Sequence, residues 1–418
     1  MPHPPRAIVL TFDRLSRRCL SFYGHEWIEA PNLERLAARS VVFDQHFGIA
    51  AGPMDQSNES DPFWSRLREA GVDAVSLVEE SVPQLSDSVD SAEGDAVDLE
   101  TTPFAHLLAQ ADQTLTEFAT QADASWLLWL KSAGIAWPCV ATEEFAELYA
   151  DELEGEQAEF LDEIKLAEIA YAACITQLDH LMGRLLATID RLFPDGRPLL
   201  IVAALAGESL GESEPLPLEH VDTSPSPETW KLRDEMVHTL LMVSPPVAGS
   251  VGSRRQELVQ SSDLWPTLLD WFPAGATQTQ PVCVEQPVRR TGTLARSASD
   301  DEQDGQECPS DEPLESLMEF QSRSLLPLIR NEPFVCRESV FLRDDEGHAA
   351  LRVRDFLLVE RDAAELLRSA RTTERADVTG FSCQLFLKPE DVWEINDIAE
   401  QHPEQVAVMR DVLRQWLP

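Results

Sequence analysis

Basic residues are scarce in this chain: 33 lysines and arginines stand against 74 acidic residues among 418, a formal net charge of −41. Such a surface repels phosphate backbones and anionic lipid, so nucleic acid and membrane are excluded as partners and any anionic ligand needs a strong local cationic site. A protein partner remains open, and nothing in the sequence names one. The seven cysteines (Cys19, Cys139, Cys174, Cys283, Cys308, Cys336 and Cys383) are odd in number and scattered, without a CxxC pair. That speaks against a disulfide framework or a zinc site and for reduced thiols. No apolar run approaches the roughly 20 residues of a membrane span. The opening MPHPPR passes directly into an apolar run, without the charged segment and cleavage site of a secretory signal, so a cytoplasmic location is expected. The histidines show no paired metal-ligand spacing.

What is present begins with that apolar run, Ala7 to Phe12, which ends on Asp13 and Arg14. Its β-branched and aromatic residues predict a central strand of a parallel sheet, whose ligands bind beyond the carboxyl ends of the strands. A helix follows near Leu33 and Leu36, with Asn32 as its expected cap, then a strand at Val41 to Phe43. The pattern continues with a helix from Phe63 to Ala70 and strands at Ala74 to Val78, Trp126 to Leu130, Leu199 to Leu205 and Met236 to Val243. Apolar residues from 164 to 189 recur at spacings of three and four and predict the longest helix. A short helix is expected over Asp263 to Asp270. Beyond Phe334 the chain alternates in strands, Ser339 to Arg343 and Ala350 to Val359, and closes in a helix from Pro403 to Leu417.

The expected fold class is α/β, a mostly parallel central sheet flanked by helices, with a small α+β C-terminal subdomain. Three segments follow: a core over 1–274, an acidic insertion over 275–315 too poor in large apolar groups to order itself, and the end of the core with the subdomain over 316–418. Trp126, Trp129 and Trp137 around one strand read as core packing before an apolar binding face.

Several pieces, in order, resemble the sulfatase family of the alkaline-phosphatase-like superfamily. They are Asp13, Tyr23-Gly24, the Pro31-Asn32-Leu33-Glu34-Arg35-Leu36 segment, Gly183-Arg184-Leu185-Leu186, Gly207 to Glu212, Asp263 to Asp270 and Arg323 to Leu328. The resemblance implies a calcium-type cation held by oxygen ligands, a formylglycine nucleophile, and lysines and histidines around the sulfate. Against that pattern Asp13 fills the first ligand position, but Arg14 stands at the second and Leu205-Ala206 replace a further Asp-His pair. The nucleophile motif aligns with Ala51-Gly52-Pro53-Met54-Asp55, where Ala51 has no atom to attack with and Asp55 replaces an arginine. Glu79 falls where the family has a lysine, and Ala136 where it has a histidine.

The resemblance therefore implies a sulfatase-like protein that has lost sulfuric ester hydrolysis and serves in binding or assembly. Its degenerate pocket comprises Arg14, Asp55, Glu79 and Glu208, with Asp13 the vestige of a metal site and no catalytic residue, Ala51 standing at the nucleophile position. Arg14 is expected to form a salt bridge with Asp13 in place of the cation. No cofactor is expected; calcium or magnesium would be, were a metal site to survive. Two alternatives stay open: a divergent sulfatase or phosphatase using Asp13, and a serine esterase using Ser209. The latter rests on Gly207-Glu208-Ser209-Leu210-Gly211, which fits a nucleophile elbow, although Pro215 and Pro217 oppose the helix that should follow.

Overall fold

The computed structural model of the protein describes residues 4–48, 62–80, 98–153, 163–210, 230–246, 252–272, 322–344, 347–361 and 383–416. The expected insertion at 275–315, Ala51 and Asp55 lie outside the described residues. Strand β1 (Arg6–Arg14) is central, as its apolar run requires. It pairs in parallel with β5 (Trp126–Gly134) on one side and β6 (Leu199–Ala206) on the other. Around this trio lie β2 (Val41–Phe43), β4 (Asp73–Val78), β7 (Leu241–Ser244) and β8 (Ser253–Arg255), in the order β4-β5-β1-β6-β7-β2-β8. Two short strands, β3 (His46–Phe47) and β9 (Val259–Gln260), form a separate ladder.

Both faces of the sheet are covered, which is why β1 reads as a continuous apolar run and not an alternating one. Ile8, Leu10 and Phe12 face one layer of helices, α1 (Pro31–Ala38), α3 (Pro103–Ala119) and α5 (Glu163–Leu192). Ala7 and Val9 face the other, with α2 (Pro62–Glu69), α7 (Leu264–Trp271) and the short helix Leu326–Ile329. The small helices α4 (Glu143–Glu147) and α6 (Asp234–Val237) lie between the larger elements. Among the described residues no helix is long and apolar enough to cross a membrane.

The C-terminal part is an antiparallel sheet of β10 (Ser339–Arg343), β11 (Ala349–Val353), β12 (Phe356–Glu360) and β13 (Cys383–Leu387). Helix Pro403–Arg414 covers one face through Val406, Met409 and Leu413. The other face sets Val340, Ala350, Leu357 and Phe386 against Phe47, Leu232 and Met236 of the core.

Three local expectations differ from the structure. The strand predicted over Met236 to Val243 begins at Leu241, because Asp234–Val237 is held as a helical turn: the Glu394 carboxylate accepts the Asp234 N–H at 2.9 Å. The strand predicted over Ala350 to Val359 is two strands joined at Arg354 and Asp355. There the buried Arg352 guanidinium donates to the Arg354 carbonyl at 3.0 Å and pins the reversal.

The third difference is at α1. Asn32 lies inside the helix, and the N–H groups of Asn32 and Leu33, which have no partner within the helix, donate to the Asp179 carboxylate of α5 at 3.1 and 2.7 Å. One carboxylate thus supplies from a distant helix what a local cap supplies elsewhere. Asp179→Ala is expected to destabilise the protein by about 1–3 kcal/mol, since buried donors lose their acceptor. The urea midpoint checks this, and Asn32→Ala is expected to cost less.

Candidate functional site

The parallel strands β4, β5, β1 and β6 deliver their carboxyl ends to one edge of the sheet, where Asp13, Arg14, Glu79 and Glu208 lie. Arg14, the last residue of β1, lies opposite Gly134 of β5 and Ala206 of β6. Two glycines make this close packing feasible. Gly134 has φ +74° and a Cβ there would overlap the Arg14 carbonyl, while a Cβ on Gly207 would overlap the Glu235 carbonyl. The Gly-Glu of the sequence motif is therefore a packing requirement: it lets α6 close against the end of β6.

Arg14 and Glu208 form the central pair, with Arg14 Nη1 at 3.3 Å from Glu208 Oε2. The arginine side chain keeps 43% of its surface exposed and the glutamate only 7%. Glu208, two residues beyond the end of β6, is thus a counter-charge of Arg14 that the sequence reading did not pair with it. Asp13 stands exposed at the end of β1. Burial raises the Glu208 pKa above the usual carboxylate range, and Glu235 adds to this. Arg14 and the Trp137 backbone N–H act in the opposite sense.

Glu79 follows β4 directly. Its carboxylate accepts a short hydrogen bond from the Ser132 hydroxyl and another from the Ala133 N–H at 3.1 Å. Its pKa is also raised, first by burial and then by the nearby Asp13. Trp126 and Trp129 do not face this edge. Trp126 stacks on Phe118 at 4.8 Å, and Trp129 packs against Phe63, Trp64 and Trp265. Both belong to the core, and the backbone of Trp137 is what reaches Glu208.

Beside the pair lies a second polar cluster that sequence reasoning missed. The Arg17 guanidinium sits 4.2 Å over the Tyr23 ring, donates to the Asp44 carbonyl at 2.9 Å and closely contacts His238 Nε2. The His238 ring stacks on Phe47 at 4.8 Å. Burial and Arg17 hold His238 well below its usual pKa, and burial pushes Tyr23 up to about 12. Arg18 extends toward Glu235 at 3.7 Å. The available signal was the crowding of Arg14, Arg17 and Arg18 into five positions of a chain poor in bases.

The implied metal does not fit this donor set. A hard divalent ion needs several oxygen ligands, yet Arg14 presents a permanent cation, and Leu205 and Ala206 have no donor atoms in their side chains. Among the described residues no three His, Cys, Asp or Glu side chains converge to hold an ion. Ser209 Oγ is buried and hydrogen-bonds nothing, so no base stands beside it among the described residues; His220 and Asp222 lie outside them.

The raised Glu208 pKa sets a pH dependence. The folded protein keeps a proton that the unfolded chain releases, so this contribution to stability is present at low pH. It is lost as pH rises from the ordinary carboxylate range through the folded value. Glu208→Gln is expected to reduce this slope and Arg14→Gln to extend it to higher pH, both read from urea midpoints across the acidic to neutral range.

No protein-family model matches the sequence, and no curated protein matches it. Solved structures do match in fold. The phosphonate monoester hydrolase of Agrobacterium radiobacter aligns over 99% of this chain and 95% of its own, at 15% identity and TM-score 0.61. BT4656, solved with its substrate D-glucosamine-2-N,6-O-disulfate, aligns over 99% and 97%, at 14% identity and TM-score 0.65. A candidate sulfatase of Bacteroides fragilis aligns over 100% and 96%, at 13% identity and TM-score 0.60. The chain shares the fold of sulfatases and phosphonate monoester hydrolases.

Proposed function

We propose that this chain uses the sulfatase-like fold for binding or assembly and does not hydrolyse sulfuric esters. The observation that carries the reading is the Arg14–Glu208 ion pair at the strand-end edge, where the sequence resemblance implies a cation and its ligands. A guanidinium on β1 supplies the positive charge that Glu208 needs, and it cannot activate a nucleophile as a metal does. Ala51 at the implied nucleophile position supports the same reading, as does Asp55, which would repel a sulfate. The reading includes no resident cofactor, a protein partner, and a cytoplasmic location on the strength of the scattered, odd cysteine set.

The second reading is a divergent hydrolase of sulfate or phosphate esters that uses Asp13 with calcium or magnesium. It is favoured by the structural matches to a phosphonate monoester hydrolase and to a protein with a disulfated sugar as substrate.

Metal analysis of protein purified in the presence of calcium, together with turnover of aryl sulfate, phosphate, phosphonate and carboxylate esters, separates the two. The expected result is sub-stoichiometric metal and no rate above the protein-free control. Stoichiometric metal with turnover would establish the hydrolase, and carboxyl ester turnover lost in Ser209→Ala would establish the esterase. Arg14→Asp tests the role of the arginine directly. It is expected to cost about 1–2 kcal/mol, less than a fully buried pair because Arg14 is half exposed, and millimolar calcium should restore part of the loss. An unchanged melting temperature would overturn that role.

A further inference from the structure

The turn after β13, Lys388 to Asn396, joins the C-terminal sheet to the core through a buried set of charges. Lys388 Nζ lies 2.7 Å from Glu394 Oε1 and 3.0 Å from Asp234 Oδ2. Glu394 Oε1 also accepts the Asp234 N–H, and Arg352 Nε lies 3.8 Å from Asp234 Oδ1. All four residues are buried. Glu394 adopts φ +54°, in the left-handed region that a non-glycine residue enters only when its surroundings hold it there. The hydrogen bonds of its carboxylate hold it, together with the Asp391 carboxylate, which accepts the Ile395 and Asn396 N–H groups at 3.0 Å.

The outer side of the same turn touches the rim of the strand-end site. Arg18 Nη2 donates to the Val392 carbonyl at 3.0 Å, and the Arg18 guanidinium sits 4.2 Å over the ring of Trp393, itself 41% exposed. Arg18 also reaches Glu235, which in turn bears on Glu208. Glu394 thus lies on the inner side of the turn whose outer side carries the aromatic residue against the arginine at the rim.

We propose that the Lys388 to Asn396 turn is a proton-controlled latch: closed, it holds Trp393 against Arg18 at the rim of the site, and loss of the Glu394 proton releases it. The physical basis is two carboxylates sharing one ammonium in a dry seam, where ionising both is costly. The charged groups facing Glu394 are Lys388 from its own turn, Asp234 from α6 and Arg352 from β11; His238 bears in turn on Asp234, and Asp355 on Arg352. Burial pushes the Asp234 carboxyl up, but His238, Lys388 and Arg352 outweigh it and hold Asp234 below its usual range. The shared proton falls to Glu394, pushed up to about 7 by burial and by Asp234 against the pull of Lys388.

Released into water, Glu394 would titrate in the ordinary carboxylate range. The closed turn thus keeps a proton that the open turn gives up, and closure weakens as pH rises from that range through about 7, by a factor on the order of a hundred.

Hydrogen exchange of the full chain from about pH 5 to about pH 9, corrected for the intrinsic rate at each pH, tests the latch. Protection of amides in residues 383–396 is expected to fall about tenfold or more through neutral pH while β1 and β5 keep theirs. In Glu394→Gln the profile is expected to be flat, and in Lys388→Gln the step should move to higher pH, because the cation favouring the ionised carboxylate is gone. A flat profile in the unmodified protein overturns the proposal. So does a step that persists in Glu394→Gln, which would assign it to His238 or another group, or one that Lys388→Gln leaves unmoved.

Discussion

A strand buried on both faces has only its end left for chemistry. β1 is hydrogen-bonded to β5 and β6 along its length, and its side chains up to Phe12 are covered by helices above and below. Any polar function must therefore gather at Asp13 and Arg14 and at the matching ends of β4, β5 and β6. The layers, the glycines at 134 and 207 and the position of α6 all serve that geometry. Glu79 and Glu208 are two carboxylates drawn to the same edge, each partly desolvated and each given specific donors: a hydroxyl and an amide for one, a guanidinium and an amide for the other. Such an edge is organised, and its charges are matched within the protein.

A second set of buried charges, around Asp234, does different work. It docks the antiparallel sheet onto the core, using Arg352 and Lys388 as the cations of an otherwise apolar seam. The two sets meet through Arg18 and Glu235 and through the Arg17–His238 contact beside Asp234. Residues at the strand ends can therefore change without undoing the docking, which draws its stability from other side chains.

Long periodic segments were legible in the sequence because their signal is physical and local. The run from Ala7 to Phe12 and the spacing from 164 to 189 each predict one element, and the structure has both. Helix α3 carries comparable signals, a Thr102-Pro103 start and apolar residues at 104, 107, 108, 111, 115 and 118, directly after an acidic stretch without periodicity. The α6 turn and the β11–β12 reversal were illegible for a better reason. Each is held by a side chain far along the chain or by a buried arginine, and neither leaves a periodic trace. At the site, Arg14 and Glu208 could each be picked out from the sequence, but not as partners: their separation of 194 residues is bridged only by strand order.

That order has a consequence for how the protein is made. The central strand β1 leaves the ribosome well before its neighbours, which begin at Trp126 and Leu199. Helix α1 likewise waits for Asp179, 147 residues beyond Asn32. For much of synthesis the central strand of the protein has no partner on either edge, a state in which chains associate wrongly. The net charge of −41 acts in that interval by keeping nascent chains apart, before it has any folded surface to decorate.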